Sequence, residues 1–126
     1  MTKWFLILAG ACAVSGAALA QDSHPLTDAL VKHWQTSKTF TLAVAEKMPD
    51  ESYSFKATPA EMSFGEMESH IADANQYYCS TAFGGKPTEK GADFSKAGVA
   101  KHLTEAFDYC IAGIQKLSDA DLTKTV

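Results

Sequence analysis

The sequence predicts an all-α fold, on three observations. Apolar residues recur at helical spacing along three long stretches, residues that start and stop helices bracket those stretches, and no run of useful length alternates as a strand would. Three helices of about 20 residues can pack as a bundle, provided each buries its apolar stripe.

The stretch ahead of the first helix is read as a leader. MTKWFLILAGACAVSGAALA carries one basic side chain, Lys3, then an apolar run from Trp4 to Val14, then small residues ending in Ala18-Leu19-Ala20. This is the pattern of a secretory signal peptide with an A-x-A cleavage site, so residues 1–20 are expected to be removed and the product to be periplasmic or secreted. The apolar run is shorter than the roughly 20 residues a membrane-spanning helix needs, so no stable membrane anchor is expected. A lipoprotein would use Cys12, but Leu8 stands four residues before it rather than three.

Residues 21–126 remain, 106 in number, enough for one small domain. Loss of Lys3 leaves 10 basic against 15 acidic residues, a net charge of −5, and no basic run occurs. Nucleic acid and anionic membranes are therefore poor partners. No CxxCH is present, which excludes covalently attached haem.

From Leu26 to Met48, the residues Leu26, Leu30, Trp34, Phe40, Val44 and Met48 form the predicted stripe of the first helix, which Pro49 ends. Residues 53–59, YSFKATP, are read as an extended link. Ser63 and Glu66 make an S-x-x-E capping box at the start of the second helix. Its stripe is Phe64, Met67, Ile71, Ala74 and Tyr78, and Gly84-Gly85 stops it. A polar loop leads to Ser95, a cap for the third helix, with Val99, Leu103, Ala106, Phe107, Cys110, Ile114 and Leu117 as its stripe. Ser118 and Asp121 suggest one further turn. The stripes are wide and no fourth helix covers them. Either a partner chain does so, a homodimer being the expected form, or the sequence is the front of a longer protein.

The residues YSFKATPAEMSFGEMESHIADANQYYCS, with AEKMP before them and FDYC and LSDADL after, resemble the DinB-like family of bacterial helical proteins. The likeness runs from about Leu26 to Val126. It implies a bundle of four helices in an up-down-down-up path, often dimeric, with a divalent metal on three histidines. One histidine lies on the second helix, where His70 falls. The other two stand four residues apart on a fourth helix, and this chain has no HxxxH. Three neutral imidazoles hold zinc, nickel or a similar ion and leave a position open, where a bound water or thiolate becomes a nucleophile. The complete form implied by the family is a metal-dependent hydrolase or transferase of unknown substrate. For this chain, His70 is the metal-ligand candidate of an incomplete site, with no catalytic residue named and no tight metal binding expected.

The competing reading makes His70 a polar residue at the edge of a core. Of the other histidines, His24 lies near the processed terminus and His33 at the wrong end of the first helix. His102 begins the third helix at a height similar to His70, and is as consistent with solvent exposure as with a shared site. Glu66 reads as a cap, Tyr78 as packing, and Asn75 as a hydrogen-bond partner for another helix. No Ser/His/Asp set or nucleotide loop is visible.

The parallel second and third helices implied by the resemblance would bring Cys79 and Cys110 level, and an antiparallel hairpin would not. The 12-residue loop from Gly84 to Ser95 spans roughly 40 Å when extended, enough to return along a helix. A Cys79–Cys110 disulfide is expected, against the alternative of two small apolar core thiols. Two functional classes stand: a metal-dependent enzyme in the complete form, or a non-catalytic helical interaction or stress-related module.

Overall fold

The structure is a computed structural model, and it describes residues 24–86 and 90–124. The predicted signal peptide lies outside the described residues. Three α-helices carry the domain: α1 over Pro25–Lys47, α2 over Phe64–Ala82 and α3 over Lys96–Ile114. Single turns of 3-10 helix follow α1 and α3, at Asp50–Ser52 and Asp121–Thr123. No strand occurs among the described residues, so the all-α expectation holds.

Local chemistry sets the boundaries. Pro25 opens α1, where a missing amide proton costs nothing and φ is already helical. The predicted capping box is present in full: Ser63 Oγ accepts from the Glu66 amide, and the Glu66 carboxylate accepts from the Ser63 amide at 2.6 Å. At the far end of α2, Gly84 takes φ +72°, a conformation open to glycine at little cost. The Gly85 amide then donates to Ser80 O at 2.7 Å and the Gly84 amide to Thr81 O, the Schellman arrangement that satisfies the last carbonyls. Ser95 caps α3 through the Gly98 amide. Ser118 and Asp121 close the predicted further turn by reciprocal bonds.

α3 is the centre of the fold; α1 and α2 each pack along it and barely meet one another. The α1 contacts run antiparallel to α3. Thr27 meets Asp119, Trp34 stacks edge-on against Phe107 at 5.8 Å, Lys38 pairs with Asp108, and Lys96 reaches Asp50 and Met48 O. The α2 contacts run parallel to it, from Gly65 against Phe94, through Asp73 with His102 and Cys79 with Cys110, to Phe83 over Gly113. Up, down, down is therefore the path of the three helices. The Cys79–Cys110 disulfide is formed, with the Cα atoms 5.5 Å apart, as the level register requires.

The third stripe is buried as predicted, with Val99, Leu103, Ala106, Phe107, Cys110 and Ile114 at the core. The other two need correction. On α1, Leu30, Trp34 and Met48 are half-buried, but Leu26, Phe40 and Val44 are more than half exposed. On α2, Met67 and Tyr78 of the predicted stripe are exposed, and the buried side is instead Gly65, Glu68, Ser69, Ala72, Gln76, Cys79 and Ser80. Small side chains explain the choice. A Cβ at Gly65 would run into the Phe94 carbonyl, so this edge of α2 can approach the segment leading into α3 more closely than an edge bearing Met or Tyr could.

The link is not extended either. Tyr53 turns inward, where its hydroxyl donates to Ala45 O at 2.7 Å and its ring meets Phe64 edge-on at 5.0 Å. The Phe64 and Gly65 amides return to the carbonyls of Phe55 and Tyr53, folding the segment back on the start of α2.

Candidate functional site

His70 lies on the outer side of α2 and is exposed. It borders a depression of about 250 Å³ between α2 and the segment that precedes α3, together with Glu66, Ser69, Asp73 and Gly91. The spacing of four and three residues around His70 places Glu66 and Asp73 on its own helical face. Both carboxylates are already engaged.

Glu66 accepts from the Ser63 amide and pairs with Lys56 at 2.8 Å. Those partners, Lys56 first, hold its carboxyl down at about 2. It is the cap that the sequence predicts rather than an acid or base. Asp73 Oδ1 accepts from His102 Nε2 at 2.8 Å and from the Gly91 amide at 3.0 Å. The carboxylate fixes the His102 tautomer, since Nε2 must carry the proton it donates. His102 thus reaches α2 one turn beyond His70, and the nitrogen it presents there is spent on Asp73.

Ser69 completes a group that sequence reasoning missed. It is buried, and its Oγ has no hydrogen-bond partner among the described residues. A Cβ placed on Gly91 would come within 2.6 Å of both Ser69 Oγ and His102 Cδ2, so a larger residue here would have to displace one of these side chains. A serine, a histidine and an aspartate therefore meet under Gly91, but not as a nucleophilic triad. The Nε2 edge of His102, which lies toward Ser69, faces Asp73, so the same nitrogen cannot also take the serine proton. The hydroxyl is also closed off from solvent. What could have flagged Asp73 is the parallel register, which sets it level with the first turns of α3.

The remaining candidates separate. His33 is exposed on α1, and His24 is half-buried beside Asp119. Tyr78 is not a packing residue: it stands 69% exposed with its ring against Tyr77. Asn75 does not bond another helix through its amide; its Nδ2 is buried without a partner among the described residues. Glu68, on the buried side of α2, has Oε2 in the same condition, and burial holds its carboxyl above the usual range. It also raises the nearby Tyr53, whose hydroxyl is shifted upward first by its own burial.

The donor set can be tested against the metal that the resemblance implies. Among the described residues no three histidine, cysteine, aspartate or glutamate side chains come together in a way that could hold an ion. His70 offers one imidazole, its two neighbouring carboxylates have other partners, and the cysteines are joined as a disulfide. The residues present do not fit a three-histidine centre.

A family model described as the DinB superfamily matches residues 33–126. No curated protein and no solved structure matches the chain.

Proposed function

The chain belongs to the DinB superfamily, and we propose that it is an exported member that works as a helical interaction module rather than as a metal-dependent catalyst. One observation carries this reading: the apolar residues of α1, of the link and of α2 that α3 does not cover form a broad exposed surface, with Phe40, Phe55 and Met67 among them. Surfaces of that kind mark interaction sites. The leader-like sequence of residues 1–20 supports export, and an extracytoplasmic setting suits a bundle that carries a buried disulfide.

A catalytic member would need two further ligands to reach His70. The family supports that second reading, a divalent-metal hydrolase or transferase, and calorimetry separates the two. With Zn²⁺ or Ni²⁺, binding no tighter than that of scattered surface histidines is expected. Submicromolar one-to-one binding that disappears in His70→Ala would overturn the module reading and restore the enzyme.

A further inference from the structure

α1 and α2 barely meet along their length, and Tyr53 joins them at the corner where the chain passes from one to the other. Its hydroxyl donates to Ala45 O near the end of α1 at 2.7 Å, and its carbonyl accepts from the Gly65 amide in the first turn of α2 at 3.0 Å. Its ring lies edge-on against Phe64. Without the Tyr53 carbonyl, the Gly65 amide would be one of the unpaired donors of a helix start.

Glu68 stands about one turn further along α2, on its buried side, and is 7% exposed. Its Oε2 has no hydrogen-bond partner among the described residues. Its closeness to the corner shows in Tyr53, whose hydroxyl is shifted upward first by burial and then by the Glu68 carboxylate. No basic group answers that charge. From the link, Lys56 pairs with Glu66; from α3, Lys96 is held by Asp50 and Met48 O, and His102 by Asp73. On α1, Lys47 is exposed and stands two residues, about 200°, around the helix from the buried Ala45. Val99 and Leu103 of α3, in the core here, are apolar. Asn75, with the other unpaired polar atom on this side of α2, is about 10 Å further along the helix. Asp50 and Glu66, which share a depression with Tyr53, only disfavour a further negative charge.

A carboxylate buried without a partner is costly, and a neutral carboxylic acid much less so. Glu68 therefore keeps this place as the neutral acid, and once ionised it has to leave. The way out is open, because the neighbouring Met67 is half exposed. We infer that Glu68 is a proton-operated latch on the corner between α1 and α2. Neutral, it stays beside Tyr53 and the corner is closed. Ionised, it moves out to water, water follows it in beside Tyr53, and the bonds to Ala45 and Gly65 open. The closed corner holds the proton more tightly than the open one, so closure is complete at acid pH and is lost as pH rises through the closed-state value. The latch thereby controls the depression of about 390 Å³ beneath the link, whose wall includes Phe55, Phe64 and Met67. It belongs to the fold itself and operates whether or not that depression receives a partner.

Amide exchange and carboxyl NMR on the full chain, expressed with its own leader, test this. The Gly65 amide reports the corner, since Tyr53 O is its acceptor. Corrected for the intrinsic pH dependence of exchange, its protection should fall by at least about tenfold from about pH 5 to about pH 8, in step with the Glu68 carboxyl, while Leu103 in the core stays protected. Glu68→Gln and Glu68→Met, neutral at every pH, should each hold Gly65 protection within about twofold over the same range. A Glu68 carboxyl that titrates at its ordinary value of about 4.3 overturns the latch. So does Gly65 protection that is unchanged across the range, or that falls equally in both neutral variants. A parallel loss at Leu103 would mean that the domain unfolds as a whole, and overturns it as well.

Discussion

Breaking the Cys79–Cys110 bond should cost this domain much of its stability. The bridge joins α2 to α3 across a sequence separation of 31 residues. In the chain-entropy model, closing a loop of that length removes about 12 cal/mol/K from the unfolded chain, or about 3.7 kcal/mol at 25 °C. A domain of this size has roughly 5 to 15 kcal/mol of net stability, so the bond supplies a quarter or more of it. At about 4 to 8 °C per kcal/mol, the midpoint of thermal unfolding should fall by roughly 15 to 30 °C.

The assay is urea unfolding of three samples: oxidised parent, parent under reductant, and the Cys79→Ala/Cys110→Ala pair. Reduction leaves the side-chain volumes in place, whereas the alanine pair also opens small cavities, because both sulfurs are buried. The alanine pair should therefore be the least stable. Both bridge-free samples should show a steeper denaturant dependence, since an uncrosslinked chain exposes more surface on unfolding. A loss below about 1 kcal/mol on reduction would refute the reasoning. It would mean that the unfolded chain is already held together, or that α2 and α3 do not depend on the link for their register.

Two further substitutions probe the polar side of α2. Burial raises the Glu68 carboxyl above its usual range, so the folded state binds that proton more tightly than the unfolded chain does, and stability falls as pH rises from the unfolded value through the folded one. Glu68→Gln removes the buried charge and should stabilise the domain by about 1 kcal/mol at pH 7 with little effect near pH 4, read as urea midpoints at both. Ser63→Ala takes away the hydroxyl that caps α2 through the Glu66 amide and should lower stability by about 1 kcal/mol, measured by the same unfolding.

Local signals were the legible part of this fold. The capping box at Ser63 and Glu66, the cap at Ser95 and the stop at Gly84-Gly85 each depend on a few neighbouring residues, and all formed as read. The α3 stripe was legible for a different reason. A central helix is covered on two sides, so its apolar residues have nowhere to go but inward. The disulfide needed the parallel path that the resemblance implied, because spacing alone left two thiols as an alternative. The Ser69–Asp73–His102 cluster was illegible because it depends on Gly91, whose lack of a side chain lets the approach to α3 close over α2.

The stripes on α1 and α2 failed for a reason that bears on function. Periodicity finds an apolar face but cannot say what lies against it, and a helix at the edge of a three-helix layer has two candidate faces. On α2 the face that meets α3 is small and polar, with Gly65, Ser69, Gln76 and Ser80, and close approach rather than hydrophobicity selects it. Met67 and Tyr78 are left toward the outside, as are Phe40 and Val44 on α1, whereas Ile71 between them packs against the core. A misread core would leave such residues scattered, since isolated exposed apolar side chains are ordinary. Here Phe40 and Val44 line one depression and Met67 another, and Met48 borders both. The stripe readings were therefore right in part: Trp34, Met48, Phe64 and Ile71 turn to the core, while Phe40, Val44 and Met67 are the apolar residues that the three helices leave exposed.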